Sequence, residues 1–215
     1  VPIGYAIYLS LLKADRNGPL GLGKPTLGFA GLENYALALQ STTFLQSFGR
    51  VLLFGVVTVP LMLILATALA LMLEHASRYW SGLLRAAYFL PYGVPGVIAS
   101  LLWSFLYVPG ISPITDLLGD AAPDFFGYNT VLWSIANIAM WQFAGYNVLI
   151  VVAQLKAIPQ ELQEAATIDG AGPWQMALRV KLPLVKPALI LIGVFSIIGS
   201  LQLFVEPLIL KLLSP

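Results

Sequence analysis

Four long stretches without a single charged residue dominate this chain, separated by short polar segments. Residues 51–73 are 23 uncharged positions, and residues 86–108 are another 23. The run 125–155 is longer, and residues 187–205 form a run of 19. A helix that crosses a membrane needs ~20 mostly apolar residues. Lipid offers no partner to exposed backbone groups, so each run is expected to be helical. None shows the period-two alternation of a membrane barrel. A fifth apolar run, 1–12, is too short to span, and no basic leader or small-residue cleavage site surrounds it. It is expected to be the outer part of a first span. The pattern therefore predicts an all-α integral membrane chain with one transmembrane domain over 1–215. Its spans lie near 1–12 (partial), 51–73, 86–108, 129–155 and 187–205. Residues 13–50 form an outer loop and 156–186 a cytoplasmic one.

Composition agrees with that class. The chain is 59% hydrophobic and 10% charged, against about 25% charged in a soluble domain. A net charge of +1 argues against a nucleic-acid partner. With no cysteine and one histidine, His75, there is no thiolate or multi-histidine metal site. No acid, base and nucleophile cluster accompanies His75, so no catalytic residue is assigned. Lys and Arg set the orientation. Segments 74–85 and 156–186 hold six in 43 residues, and the opposite segments hold five in 64. This places 156–186 in the cytoplasm. Trp103 with Tyr107, and Tyr128 with Trp133, are expected in the outer aromatic belt.

Interruptions and polar residues inside the runs are the candidate functional features. Pro91, Gly93, Pro95 and Gly96 break the third run, either as a packing kink or as a hinge lining a path. Gly18 to Lys24 approaches a nucleotide-binding loop. Pro25 stands where that loop needs Ser or Thr for magnesium, and no strand precedes it. The chain is thus expected to have no ATPase site. Glu206, beside Pro207, ends the fifth run and receives no role.

Between the fourth and fifth runs lies a polar hairpin. Pro159 suits a first helical turn, with Glu161 and Glu164 near the positive end of the helix dipole. Asp169-Gly170 supplies a turn, and a second short helix is expected from Pro173 to about Lys181, stopped by Pro183. Ala165 and Ala166 would let another surface approach the backbone closely. Read from residues alone, this hairpin is equally an ordinary solvated loop.

The hairpin's sequence is more specific. It reads Glu164-Ala165-Ala166, three residues, Gly170, nine residues, then Val180-Lys181-Leu182-Pro183. This resembles the EAA pattern of bacterial ABC-importer permeases, with Val180 in place of Ile. The resemblance implies a type I permease core, of which five spans are visible here, the first truncated and a sixth absent. It also implies that the hairpin docks on an ATPase subunit through Glu164, Ala165, Ala166, Asp169, Gly170, Ala171 and Pro183. The aromatic common midway through the second half is Ala177 here, and Trp174 lies three residues earlier. Gly31-Leu32-Glu33-Asn34-Tyr35, Phe89-Leu90-Pro91 and Trp103 resemble elements of the carbohydrate branch, of the maltose and glycerol-phosphate type.

In that branch the helices flanking the hairpin line the solute site. The polar residues there are Asn137, Trp141, Gln142, Tyr146, Asn147, Ser196, Ser200 and Gln202. They are candidates for the substrate path, with interhelical hydrogen bonding as their other common use. The resemblance further implies two ABC ATPase subunits carrying ATP and Mg, a second permease subunit, an extracytoplasmic solute-binding protein and a bacterial inner-membrane location. No cofactor is expected on this chain. A permease for an amino acid or phosphate is the nearest alternative, and a stand-alone channel or proton-coupled carrier the more distant one.

Overall fold

The computed structural model describes residues 2–16 and 25–213. Gly18 to Lys24, the near match to a nucleotide loop, lie outside the described residues. The chain divides into two compact units, residues 1–52 and 53–215.

In the first unit, α1 (Pro2–Ser10) leads into an antiparallel hairpin of β1 (Leu12–Arg16) and β2 (Pro25–Phe29), in which Leu12 pairs with Phe29 and Arg16 with Pro25. Helix α2 (Glu33–Gln40) follows. The expected outer loop 13–50 is therefore built of hairpin and helix, and β1 stands just before Gly18, where the sequence reading expects no strand. The Glu33-Asn34-Tyr35 triplet explains its shape. The Asn34 amide donates to the carbonyls of Ser10 (2.9 Å) and Leu12 (2.8 Å). The Tyr35 and Ser10 hydroxyls share a 2.6 Å bond, and Lys13 pairs with Glu33 at 2.7 Å. Three consecutive side chains thus clamp α2 onto the α1–β1 junction.

Helix α3 (Thr42–His75) begins nine residues before the expected span and carries Pro60 inside it. In the second unit, α4 (Arg78–Phe89) passes through a 3-10 turn at Leu90–Gly93 to α5 (Gly96–Tyr107). The two arms meet at 100°. The third run is a sharply bent helix pair, and the cause of the bend is local. Val94 is extended (φ −82°, ψ 124°) and Pro95 is extended too. A residue preceding proline is pushed out of the helical region, and Pro95 cannot donate to the ladder.

A short α6 (Pro113–Leu118) leads to α7 (Val131–Lys156), the hub of the unit. Of the most apolar 18-residue window of α7, 56% is buried, against 28% for α3. Ile138, Val148 and Val151 on α7 are fully enclosed, as are Ala66 and Ala70 on α3. By length and composition, α3 and α7 each suffice to cross a membrane, and each of two bent helix pairs does so if counted as one span.

After α7 come α8 (Gln160–Ile168), α9 (Pro173–Gln175), a π-helical turn at Met176–Lys181 and α10 (Leu182–Leu184). Pro183 does not stop the second short helix as the sequence predicts. The chain stays helical for one residue more, to Leu184, with α10, which holds Pro183, following directly on the π-helical turn. The direction changes by 66° before α11 (Lys186–Leu201). The fifth run also differs from expectation. Helix α11 ends at Leu201, and α12 (Val205–Leu213) starts anew and packs on α5. Glu206 therefore opens a helix instead of closing a span.

Tyr107 is a further departure. It is only 2% exposed, donates to the Ser134 carbonyl at 3.1 Å and stacks on Phe125. Its ring belongs to the core and not to a lipid-facing belt, because the α7 backbone supplies the hydrogen-bond partner that interfacial water would otherwise give. Trp133 and Tyr128 are 42% and 73% exposed.

Candidate functional site

Two regions gather the residues singled out in the sequence. The first is a cavity of about 440 Å³ whose lining comes from α3, the 3-10 turn after α4, α7, α11 and α12. Five of the eight path candidates line it: Tyr146, Asn147, Ser196, Ser200 and Gln202. Thr58, Tyr92, Phe143 and Glu206 join them, and none of these four stands out in the sequence as a path residue.

The cavity combines ring faces with unused hydrogen-bonding capacity. Tyr92 and Tyr146 stack with centroids 4.8 Å apart and planes at 14°, and Phe143 meets Tyr92 edge-on. The Thr58 hydroxyl is buried and has no hydrogen-bond partner. Asn147 is 5% exposed, and no side-chain hydrogen bond occupies its amide among the described residues. Buried polar groups nearly always find partners. Groups left over around a cavity are suited to a polar solute. Ser200 is different, since its hydroxyl donates to the Ile197 carbonyl at 2.8 Å.

The other three path candidates do not reach this cavity. Asn137 donates to the Tyr107 hydroxyl at 2.9 Å and faces a separate cavity of about 460 Å³ with Trp103 and Trp133. Trp141 packs edge-on against Trp103. Gln142 donates to the Val94 carbonyl at 2.7 Å. That carbonyl lies in the break between α4 and α5. Gln142 thus satisfies a group that the proline pair has freed from the helical ladder.

Gly145, one turn beyond Trp141, makes that contact possible. A Cβ placed there would overlap the carbonyl oxygen and carbon of Tyr88. The backbones of α4 and α7 touch at this point. Sequence reading misses Gly145 because nothing local distinguishes it from any other helical glycine.

The other region is the hairpin. Pro159 is the N-cap of α8, and Glu164 accepts from Gln160 at 2.7 Å. The helix ends in a Schellman motif. The Ala171 N–H donates to Ala166, the Gly170 N–H donates to Thr167, and Gly170 sits at φ 82°. That conformation suits glycine. Glu164, Ala165, Asp169 and Gly170 are exposed, while Ala166 and Ala171 are half-buried. Pro183 is exposed on α10, apart from the turn itself. Ile168 and Trp174 are 86% and 80% exposed, so the hairpin presents apolar side chains outward. Beside it, Glu74, Lys156, Gln163, Glu164 and Thr167 line an open groove of about 990 Å³.

One ion pair ties this region to α3. Lys181, buried in the π-helical turn, meets Glu74 at 2.7 Å across 107 positions of sequence. In the sequence, Lys181 marks topology and fills the unspecified position of the Val180-Lys181-Leu182-Pro183 element, with no ion pair expected.

A family model described as binding-protein-dependent transport system inner membrane component matches residues 62–212. The trehalose transport system permease protein SugA of Mycobacterium tuberculosis is 32% identical over 205 residues, covering 94% of this chain and 64% of its own. The sn-glycerol-3-phosphate transport system permease protein UgpA of Yersinia enterocolitica is 32% identical over 194 residues, covering 86% and 62%. This chain thus spans somewhat under two thirds of the length of these relatives. Among solved structures, a bacterial ABC transporter involved in the import of the acidic polysaccharide alginate superposes with a TM-score of 0.77. It covers 94% of this chain and 68% of its own at 20% identity. At that identity the likeness concerns the fold.

Proposed function

We propose a role for this chain, which belongs to the family of binding-protein-dependent transport system inner membrane components: it is the permease subunit of an ATP-driven carbohydrate importer. The family places it in the inner membrane as a multi-pass protein. The observation that carries the solute reading is the cavity of unpartnered hydroxyl and amide groups beside the Tyr92–Tyr146 stack. A sugar presents hydroxyls to such groups and C–H faces to such rings. Relatives named for trehalose and glycerol-phosphate transport support the same class.

The hairpin supplies the coupling. Its exposed Ile168 and Trp174, its close-approach alanines and Glu164 form a docking surface for an ABC ATPase, which brings ATP and Mg. Two such ATPases, a second permease subunit and an external solute-binding protein complete the transporter. Closure of the ATPases moves the hairpin, and the Lys181–Glu74 pair passes that movement to α3. The helices around the cavity then open it to each side in turn.

The test is uptake by the reconstituted transporter beside ATP hydrolysis. Glu164→Lys and Gly170→Pro should uncouple hydrolysis from uptake while the chain still inserts. Sugar uptake driven by a proton gradient, with no dependence on an ATPase, would overturn this function in favour of a stand-alone carrier.

A further inference from the structure

We propose that Glu206 makes the cavity selective against anionic solutes, so that the cargo is an uncharged polyhydroxylated molecule. This rests on the carbohydrate reading above and sharpens it to a charge class.

Glu206 is the one charged side chain among the residues lining the cavity. Thr58, Tyr146, Asn147 and Gln202 line the cavity with it, beside aliphatic side chains such as Val59, Met62 and Leu203. No ion pair or side-chain hydrogen bond engages its carboxylate among the described residues. Among the described residues, no protein cation therefore cancels the charge.

Its position is held by the fold. Glu206 lies in the first turn of α12, which packs along α5. Its Oε1 comes within 3.8 Å of a Cβ placed on Gly96, the first residue of α5. Helix α5 is 12 residues long and starts at the break after Pro95. The positive end of its dipole thus faces the carboxylate and favours an anion at that spot. The bent helix pair and the restart of the chain at α12 together place one fixed negative charge on the cavity wall.

A phosphate or uronate in the cavity would lie within a few ångströms of that charge in a partly desolvated setting. Repulsion at such range disfavours the anion by on the order of tenfold or more. A neutral sugar meets the opposite effect, because a carboxylate oxygen accepts hydrogen bonds from hydroxyl groups. The same residue therefore recruits hydroxyls and rejects acids.

The test measures equilibrium binding of radiolabelled trehalose and sn-glycerol 3-phosphate to the assembled, detergent-solubilised transporter without its binding protein. Wild type and Glu206→Asp should prefer trehalose by at least tenfold. Glu206→Gln should gain tenfold or more in affinity for the phosphate ester while its trehalose affinity changes less. An anion affinity in Glu206→Gln within threefold of wild type overturns the proposal. So does a parallel loss of both probes, which marks Glu206 as a packing residue. If trehalose fails to bind any variant while Glu206→Gln still gains the anion, the charge filter stands and the carbohydrate reading falls. If neither probe binds any variant, both fall.

Discussion

Helix α7 carries two sets of polar residues with opposite fates. Asn137 and Gln142 give their amides to Tyr107 and to the Val94 carbonyl. Asn147 and Tyr146 lie one or two turns farther on and line the cavity with no side-chain hydrogen bond to the protein among the described residues. Residue type does not separate the sets, since an asparagine belongs to each. What separates them is the group each side chain meets. Gln142 meets the break after Pro91, where the prolines have released the Val94 carbonyl, and Asn137 meets the buried Tyr107 hydroxyl. Tyr146 and Asn147 face the cavity, Tyr146 with its ring stacked on Tyr92. Polar groups bonded to the protein hold the fold, and unbonded ones on the cavity wall are left for solute, whereas the unbonded Gln142 Oε1 is buried away from that wall.

That division can be broken most forcefully at Gly145, which lets α7 approach the bent helix pair. Gly145→Ala drives a methyl into the Tyr88 backbone, and no rotamer change relieves it. The expected loss is about 3 kcal/mol or more of stability, read as failure to elute as a monodisperse species or as a large drop in Tm in detergent. An unchanged Tm would show that the two backbones are not in contact.

Lys181→Met comes next. It leaves the Glu74 carboxylate without its partner, and Glu74 is about one quarter exposed. The cost should be about 2 kcal/mol, below that of breaking a fully buried pair. ATP hydrolysis should also lose its dependence on transported solute. Full coupling in this variant would remove the ion pair from the transmission path.

The finest comparison sets Gln142→Leu against Asn147→Leu. Gln142→Leu strands the Val94 carbonyl and should cost about 1–2 kcal/mol, with uptake falling only as far as the amount of folded protein falls. Asn147→Leu strands no protein group and removes a buried amide that has no partner, so stability should not fall. Uptake per folded molecule should drop at least tenfold. Thermal unfolding beside uptake separates the two, and matching behaviour would erase the distinction between bonded and unbonded groups.

Much of this is legible in the sequence because its causes are local. Charge-free runs mark the long helices, Asp169-Gly170 marks a turn that settles at φ 82°, and Pro91 with Pro95 marks the break. The EAA spacing marks the hairpin, and the family match agrees with it. The rest depends on neighbours distant in sequence. Gly145 matters because of Tyr88, 57 positions earlier. Lys181 matters because of Glu74. The end of α11 at Leu201 precedes the nearest proline, Pro207, so punctuation alone puts Glu206 at the end of a helix that has already stopped. Aromatic residues near a span end usually lie at the lipid interface, which is where the sequence places Tyr107. Only the fold shows Ser134 waiting for its hydroxyl.

The contact at Gly145 also has a genetic consequence. Most core clashes involve two side chains, and a smaller residue on the far side relieves them. Here the obstructing atoms are the carbonyl of Tyr88 and the nitrogen of Phe89, and every residue type carries those atoms. No substitution at position 88 or 89 can make room. A selection for second-site suppressors of Gly145→Ala should therefore return true revertants at codon 145, with extragenic or intragenic rescue scarce. Position 145 is fixed by the partner's main chain, which mutation cannot trim.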